Sequence, residues 1–210
     1  MFAVWAHEMF LDFHLCKMIK ILILGVVAAT LLWWWFRPVV LNLNRNGYYM
    51  TDVEGLDPQR LSFSFDFKAS RPGCILCFSG NNGPEIITSI VEITADGELI
   101  VKKLWRGGSY SFTNVIKSKS KLNLIDDSWH SVAFTEINEP ALSTSLWRIT
   151  VDNEINSIRF SSRNLPLSIS NARLGMNLRS DTLFSGEIRN IVFGGVEKTR
   201  FEFKSQNHPA

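Results

Sequence analysis

From Leu61 onward, hydrophobic and polar residues take turns. In "LSFSFDFK" the apolar Leu61, Phe63, Phe65 and Phe67 alternate with Ser62, Ser64, Asp66 and Lys68. That period of two marks a half-buried β-strand. Similar runs follow at Cys74–Ser79, Ile86–Ile93, Glu98–Leu104, Ser109–Ile116, Trp129–Ile137, Leu146–Val151, Glu154–Phe160, Ala172–Met176 and Phe184–Phe193. The turn signals "RPG", "GNNGP", "ADGE", "RGG" and "INEPA" separate them, and Asp96-Gly97 between two β-rich runs predicts a hairpin. About ten short strands with no helical period after residue 40 predict an all-β fold, an antiparallel β-sandwich or jelly roll.

The pattern before this region is different. Ile21 to Phe36 reads "ILILGVVAATLLWWWF", sixteen residues without a charge. As a helix it is about 24 Å long, or about 28 Å if it starts at Met18 and Lys20 snorkels. Against a hydrocarbon core of about 30 Å, this predicts a short transmembrane signal-anchor helix over residues 18–37. Trp33, Trp34 and Trp35, followed by Arg37 and Pro38, suit an interfacial belt at its exit. The competing reading is a signal peptide cut after Ala29, which would leave "TLLWWWF" as a greasy new N-terminus. The expected organisation is a short tail (1–17), the anchor (18–37), a linker (38–58) with room for a first strand, a β-sandwich domain (59–204) and a C-terminal tail (205–210). Lys17 and Lys20 precede the helix and Arg37 and Arg45 follow it; a start at Met18 would make "MIK" a short basic n-region, which favours a cytosolic N-terminus and a body on the non-cytosolic side.

Composition sharpens this picture in three ways. The 46% hydrophobic and 12% aromatic content fills a core. From Pro38 onward 19 basic residues face 18 acidic ones, a balance that gives no electrostatic case for nucleic acid. Cys74 and Cys77, three apart in an extended run, would point to opposite faces about 10 Å apart along the strand. That is too far for a disulfide, so they read as core-filling thiols.

Six fragments, in order, resemble a known family. "DDSWHSVAF" is similar to the Asp-x-Trp-His-x-Val strand of laminin G-like domains. "LSFSFDFKASRPGCILCFSG" resembles their opening strand pair, and "VEITADGELIV" the hairpin that follows. "WRITVDNE" resembles the strand ending in a Val-Asp turn, "ARLGMN" the short strand with glycine, and "FSGEIRNIVFGG" the closing element. The signature positions are Trp129, His130, Asp152, Gly175, Phe184 and Gly186. The resemblance covers Leu61 to Gly195 and implies a concanavalin A-like sandwich of about a dozen strands serving extracellular recognition rather than catalysis. It also implies a rim calcium site, for which Asn82, Glu85 and Asn164 are the matching residues. Where the family's closing element carries a cysteine, this chain has Glu187.

Candidate chemistry is sparse. His130 shares strand parity with Val132 and Phe134, which turns it toward the core and favours a structural role; Asp126 and Asp127 suit the turn before the strand. Concanavalin A-like sandwiches also host glycosidases, which need paired carboxylates. The nearest text is Glu92, Asp96 and Glu98, with the wrong spacing. Basic residues carry the sharper idea. Lys117, Lys119 and Lys121 alternate, so an extended chain would put all three on one face about 7 Å apart. Lys102, Lys103 and Arg106 on the preceding run would extend the patch toward a sulfated or carboxylated polysaccharide. A solvated edge strand guarded by lysines is the bland alternative. The sequence thus predicts a membrane-anchored, non-enzymatic module binding a glycan or an extracellular protein. A glycoside hydrolase and an accessory scaffold subunit of a membrane complex stand as alternatives.

Overall fold

A computed structural model describes residues 18–33, 39–43, 47–53, 61–82, 85–107, 110–118, 123–161, 168–175, 184–198 and 202–207. The chain divides into two units, Met1–Pro38 and Val39–Ala210. Within the first, residues 18–33 form a helix whose side chains are exposed throughout, Leu24 to 74% and Leu22 to 71%. Among the described residues no helix is long and apolar enough to cross a membrane. The expected span ran on to residue 37, and residues 34–38 lie outside the described residues.

The second unit consists of two antiparallel sheets. The first sheet follows the order β1 (Leu41–Leu43), β12 (Ser185–Phe193), β3 (Ser62–Arg71), β8 (Trp129–Glu139), β9 (Thr144–Val151) and β10 (Glu154–Ser161), with β13 (Val196–Glu197) pairing on β12. The second runs β14 (Lys204–Asn207), β2 (Gly47–Asp52), β11 (Ser168–Leu174), β4 (Gly73–Asn82), β5 (Glu85–Ile93), β6 (Leu99–Gly107) and β7 (Tyr110–Lys117).

The alternation read from the sequence sets the packing. Phe63, Phe65 and Phe67 on β3, Phe134 on β8 and Trp147 on β9 all point inward and are at most 3% exposed. They meet Leu76, Phe78, Val91, Val101 and Leu174 of the second sheet in one core. Ring pairs link the two layers: Phe63 lies 5.0 Å from Phe134 within the first sheet and 5.4 Å from Phe78 in the second. Each such ring buried contributes about 1.5–3 kcal/mol relative to exposure, so the aromatic seam is a main source of cohesion.

Two expectations are corrected. The stretch 38–58 is not a linker, because it supplies β1 to one sheet and β2 to the other. Its apolar residues alternate over too few positions to register as strands, yet Leu41, Leu43 and Val53 are buried. Nor do Cys74 and Cys77 face opposite ways. A β-bulge between Cys74 and Leu76 inserts one residue, so Cys74 pairs with Glu92 and Cys77 with Ile90, two positions apart on β5. Both thiols therefore lie on the outer face of the second sheet, fully buried beside Ile90 and Leu104. Burial first, then the neighbouring Cys77 and Glu92, push the Cys74 thiol well above the usual range.

Candidate functional site

The signature histidine is a structural tie. His130 is 6% exposed; its Nδ1 lies 3.0 Å from Asp152 Oδ2 and its Nε2 3.0 Å from Asp126 Oδ1. Asp152 sits in the β9–β10 turn with φ 53°, and its Oδ1 also accepts the Ser131 N–H at 2.9 Å. Asp126 accepts the Ser128 N–H at 2.8 Å, so the turn aspartate and the histidine partner are one residue. Burial pulls the imidazole down, but hydrogen bonds to Asp152 and Asp126 and their charges outweigh it, leaving the histidine above its ordinary value. The His130 hydrogen bond, aided by the Ser128 N–H, holds Asp126 below the ordinary carboxylate value. Both ring nitrogens lie within hydrogen-bond distance of carboxylates, so neither is directed at open space as a general base would be.

Other signature residues are also architectural. Trp129 lies on the outer face of the first sheet under the Arg189 guanidinium, 3.9 Å from the ring centre. Asp66 holds that arrangement, accepting from Ser131 Oγ at 2.6 Å, Asn190 Nδ2 at 2.6 Å and Arg189 Nε at 3.3 Å. Phe184 is fully buried. Gly186 passes so close to the Lys68 carbonyl that a Cβ would overlap it, besides meeting the Phe184 ring at 2.7 Å. Gly175 has φ +87°, where a side chain would strain the backbone.

The basic residues divide between two faces. Lys102 and Lys103 are consecutive on β6 and so project oppositely. Lys103 points inward: its Nζ is 2.6 Å from Oε1 of Glu136 on β8, in the other sheet, and Ser145 Oγ donates to the same oxygen at 3.1 Å. Side-chain exposures of 17% and 5% make this an ion pair inside the sandwich, close to Trp147, whose buried Nε1 has no acceptor among the described residues. Lys103 therefore leaves the surface patch. The periodicity of "LIVKKLW" could have shown this, because Lys103 shares parity with Leu99, Val101 and Trp105, all buried.

Lys102, Arg106 and Lys117 do share the outer face of the second sheet. Lys102 pairs with Glu92, and Lys117 Nζ lies 2.8 Å from Glu98 Oε2, which holds the lysine above its ordinary value. Arg106 is exposed. Lys119 and Lys121 lie outside the described residues. Strand register adds cations that the sequence reading missed. Across the sheet Lys204, Met50, Arg173, Cys77, Ile90, Lys102 and Val115 are successive Cα partners and form one transverse row. The signal for Arg173 was present in "ARL": an arginine between two apolar strand residues faces outward when they face in.

Of the calcium candidates, Asn82 and Glu85 are Cα partners at the end of the β4–β5 hairpin, and Asn164 lies outside the described residues. Among the described residues no group of three or more His, Cys, Asp or Glu side chains could hold a metal ion. The glycosidase candidates are otherwise engaged: Glu92 and Glu98 each hold a lysine, and Asp96 stands in the turn closed by Thr94 and Glu98.

No protein-family model matches the chain, and no curated protein matches it in sequence. Solved structures do. Domains LG4-5 of the mouse laminin alpha1 chain superpose with a TM-score of 0.59 at 15% identity, over 80% of this chain and 46% of that one. The LG1-3 region of the laminin alpha2 chain gives 0.57 at 14% identity, over 80% and 34%. The native heptameric SAP-like pentraxin from Limulus polyphemus gives 0.50 at 12%, over 74% and 75%. This chain thus spans between a third and a half of the laminin structures it matches. What the likeness establishes is the fold, a sandwich of the laminin G and concanavalin A-like kind.

Proposed function

We propose that this chain is a non-catalytic recognition module, held at a membrane by its N-terminal apolar helix with the sandwich on the non-cytosolic side. Its ligand is an anionic glycan or an acidic extracellular protein surface, engaged by the outer face of the second sheet. The observation that carries this reading is the shared orientation of Lys102, Arg106, Lys117, Arg173 and Lys204 on that face. The acidic residues that register or ion pairing brings to them are Asp52, Glu92 and Glu98, leaving the face cationic. The solved laminin G-region and pentraxin structures support the choice of fold only. For the anchor, support comes from sixteen consecutive helical residues that expose isoleucine, leucine and valine on every side.

Retention of the full chain on immobilised heparin tests the reading, compared with Arg106→Ala/Lys117→Ala. The double variant should elute at clearly lower salt, since each lost contact with a polyanion reduces the salt dependence. Unchanged elution would overturn the glycan face. Protease protection on sealed vesicles tests the anchor; digestion of the sandwich from the cytosolic side would overturn the orientation.

A further inference from the structure

We propose that strand β10 joins two copies of this chain edge to edge, continuing the first sheet from one copy into the other. The dimer does not depend on what the second sheet binds.

An edge strand presents a row of unpaired backbone groups, and proteins blunt such edges by keeping them short, bulged, covered or guarded by lysine and proline. Three of the four strands that end the two sheet paths follow this rule. β1 has three residues and β14 four. β7 ends on Lys117, whose carbonyl accepts the Asn156 Nδ2–H at 2.8 Å. β10 is different. Its eight residues, "EINSIRFS", pair with β9 in unbroken register and include neither proline nor lysine. Among the described residues β9 is its one strand partner.

The β9–β10 turn decides which backbone groups are open. Asp152-Asn153 is a two-residue turn, so Val151 and Glu154 beside it are a hydrogen-bonded pair. Counting by two, Glu154, Asn156, Ile158 and Phe160 bond to β9, while Ile155, Ser157, Arg159 and Ser161 turn their N–H and C=O to the edge. Phe160 packs on Trp147 with ring centres 4.8 Å apart, so Ile158 shares the core-facing side. Ile158 is nonetheless 41% exposed, and Ile155 on the outer side is 59% exposed. Each face of the open edge thus carries an apolar residue.

The strand is complementary to itself. A two-fold axis perpendicular to the sheet makes the strands antiparallel and opposes residues of like parity. With the axis at Ile158, residues 155–161 of both copies overlap and every edge-facing residue is used, giving about eight backbone hydrogen bonds. Ile158 then meets Ile158 of the second copy at a non-hydrogen-bonded position, where side chains come closest. Asn156 opposes Phe160 and Ser157 opposes Arg159, so no like charges face each other. Arg159 is itself held by Glu139, with Nε 3.2 Å from Oε2. An axis at Ser157 would keep about six bonds, and one at Arg159 would set two guanidiniums against each other. This self-complementarity is why the occupant is a second copy rather than a foreign strand.

The test uses the full chain in mild detergent, with sedimentation velocity and disulfide trapping. In a Cys16→Ser background the other thiols, Cys74 and Cys77, are fully buried. Ile158→Cys should then cross-link to itself on mild oxidation, because non-hydrogen-bonded partners have Cα atoms about 4.5 Å apart, within disulfide range. Ile155→Cys should not, since the two copies of that residue lie about 20 Å apart. Ser157→Pro removes an N–H that faces only the edge and should weaken the dimer at least about tenfold. Ile158→Lys, at an exposed position, should do the same by placing two ammonium groups on the axis. Thermal melting of the dilute variants should match that of the dilute parent. A parent that stays monomeric at about 100 μM would overturn the proposal. So would equal trapping at Ile155→Cys. A dimer left intact by both Ser157→Pro and Ile158→Lys would assign the association to another surface, such as helix 18–33, and reject the strand. Ile158→Cys adducts formed in vesicles with a different protein and never with itself would make the occupant a foreign strand.

Discussion

The ion pair between Lys103 and Glu136 offers the sharpest test of how the two sheets hold together. Removing the lysine as Lys103→Met keeps most of the stem and strands a carboxylate that is 5% exposed. Breaking a buried pair from one side costs about 3–5 kcal/mol, and the 17% exposure of the lysine places this case near the lower end. For a domain of this size about 1 kcal/mol moves the midpoint by roughly 2–4 °C, so Lys103→Met should melt about 6–12 °C lower. The double variant Lys103→Met/Glu136→Leu removes both charges together. Ser145 then loses its acceptor, at a cost of about 1 kcal/mol, but no charge is left in the interior. The double variant should therefore lie within about 1 kcal/mol of the parent, well above the single one. Urea unfolding followed by near-ultraviolet circular dichroism would measure all three proteins. A single variant that loses under about 1 kcal/mol would show the pair to be as weak as a surface one and refute the reasoning. So would a double variant no more stable than the single.

Two further outcomes follow from the same geometry. The His130 pKa is raised, so its stabilising contribution is complete below the unfolded value of 6.5 and fades as pH rises through the folded value; Asp126, lowered from 3.8, loses its share as pH falls through its own folded value. The melting difference between the parent and His130→Gln should then be widest near pH 5–6 and narrow on the alkaline side; a difference that grows above pH 7 would contradict the paired imidazolium. Gly186→Ala should destabilise by about 1–3 kcal/mol, because the new methyl meets the Lys68 backbone on the neighbouring strand, which cannot swing aside like a side chain; a urea midpoint equal to the parent's would count against that close approach.

What the sequence disclosed depended on how far a period of two could be counted. In β3, β8 and β9 the alternation runs unbroken, and it correctly turned Phe63, Phe65 and His130 inward. In β4 the count fails after Cys74, since the bulge adds a residue that no local signal announces, and the two cysteines fall on one side instead of two. In β1 there are three residues to count, too few to tell a strand from a linker, although both of its leucines are buried. The candidate face suffered from distance more than from noise. Lys102 and Lys117 are close in sequence, on adjacent strands, so their common face is legible from the alternation. Arg173 and Lys204 reach the same face through pairings on β11 and β14, which only the strand order reveals. Lys103 carries a surface charge on an inward parity, and the parity decides where it lies.

The pairing of the earliest strands with the latest has a consequence for how this chain reaches its fold. Leu41 registers with Ile188, and Tyr49 with both Leu174 and Ser205. During synthesis β1 and β2 must wait, unpaired, until almost the whole domain has emerged. The hairpins β4–β5–β6–β7 and β8–β9–β10 can close as they appear. Closure across so much intervening chain places such a sandwich among slow folders, in about the millisecond-to-second range, with its two sheets sealed last by the first strands made.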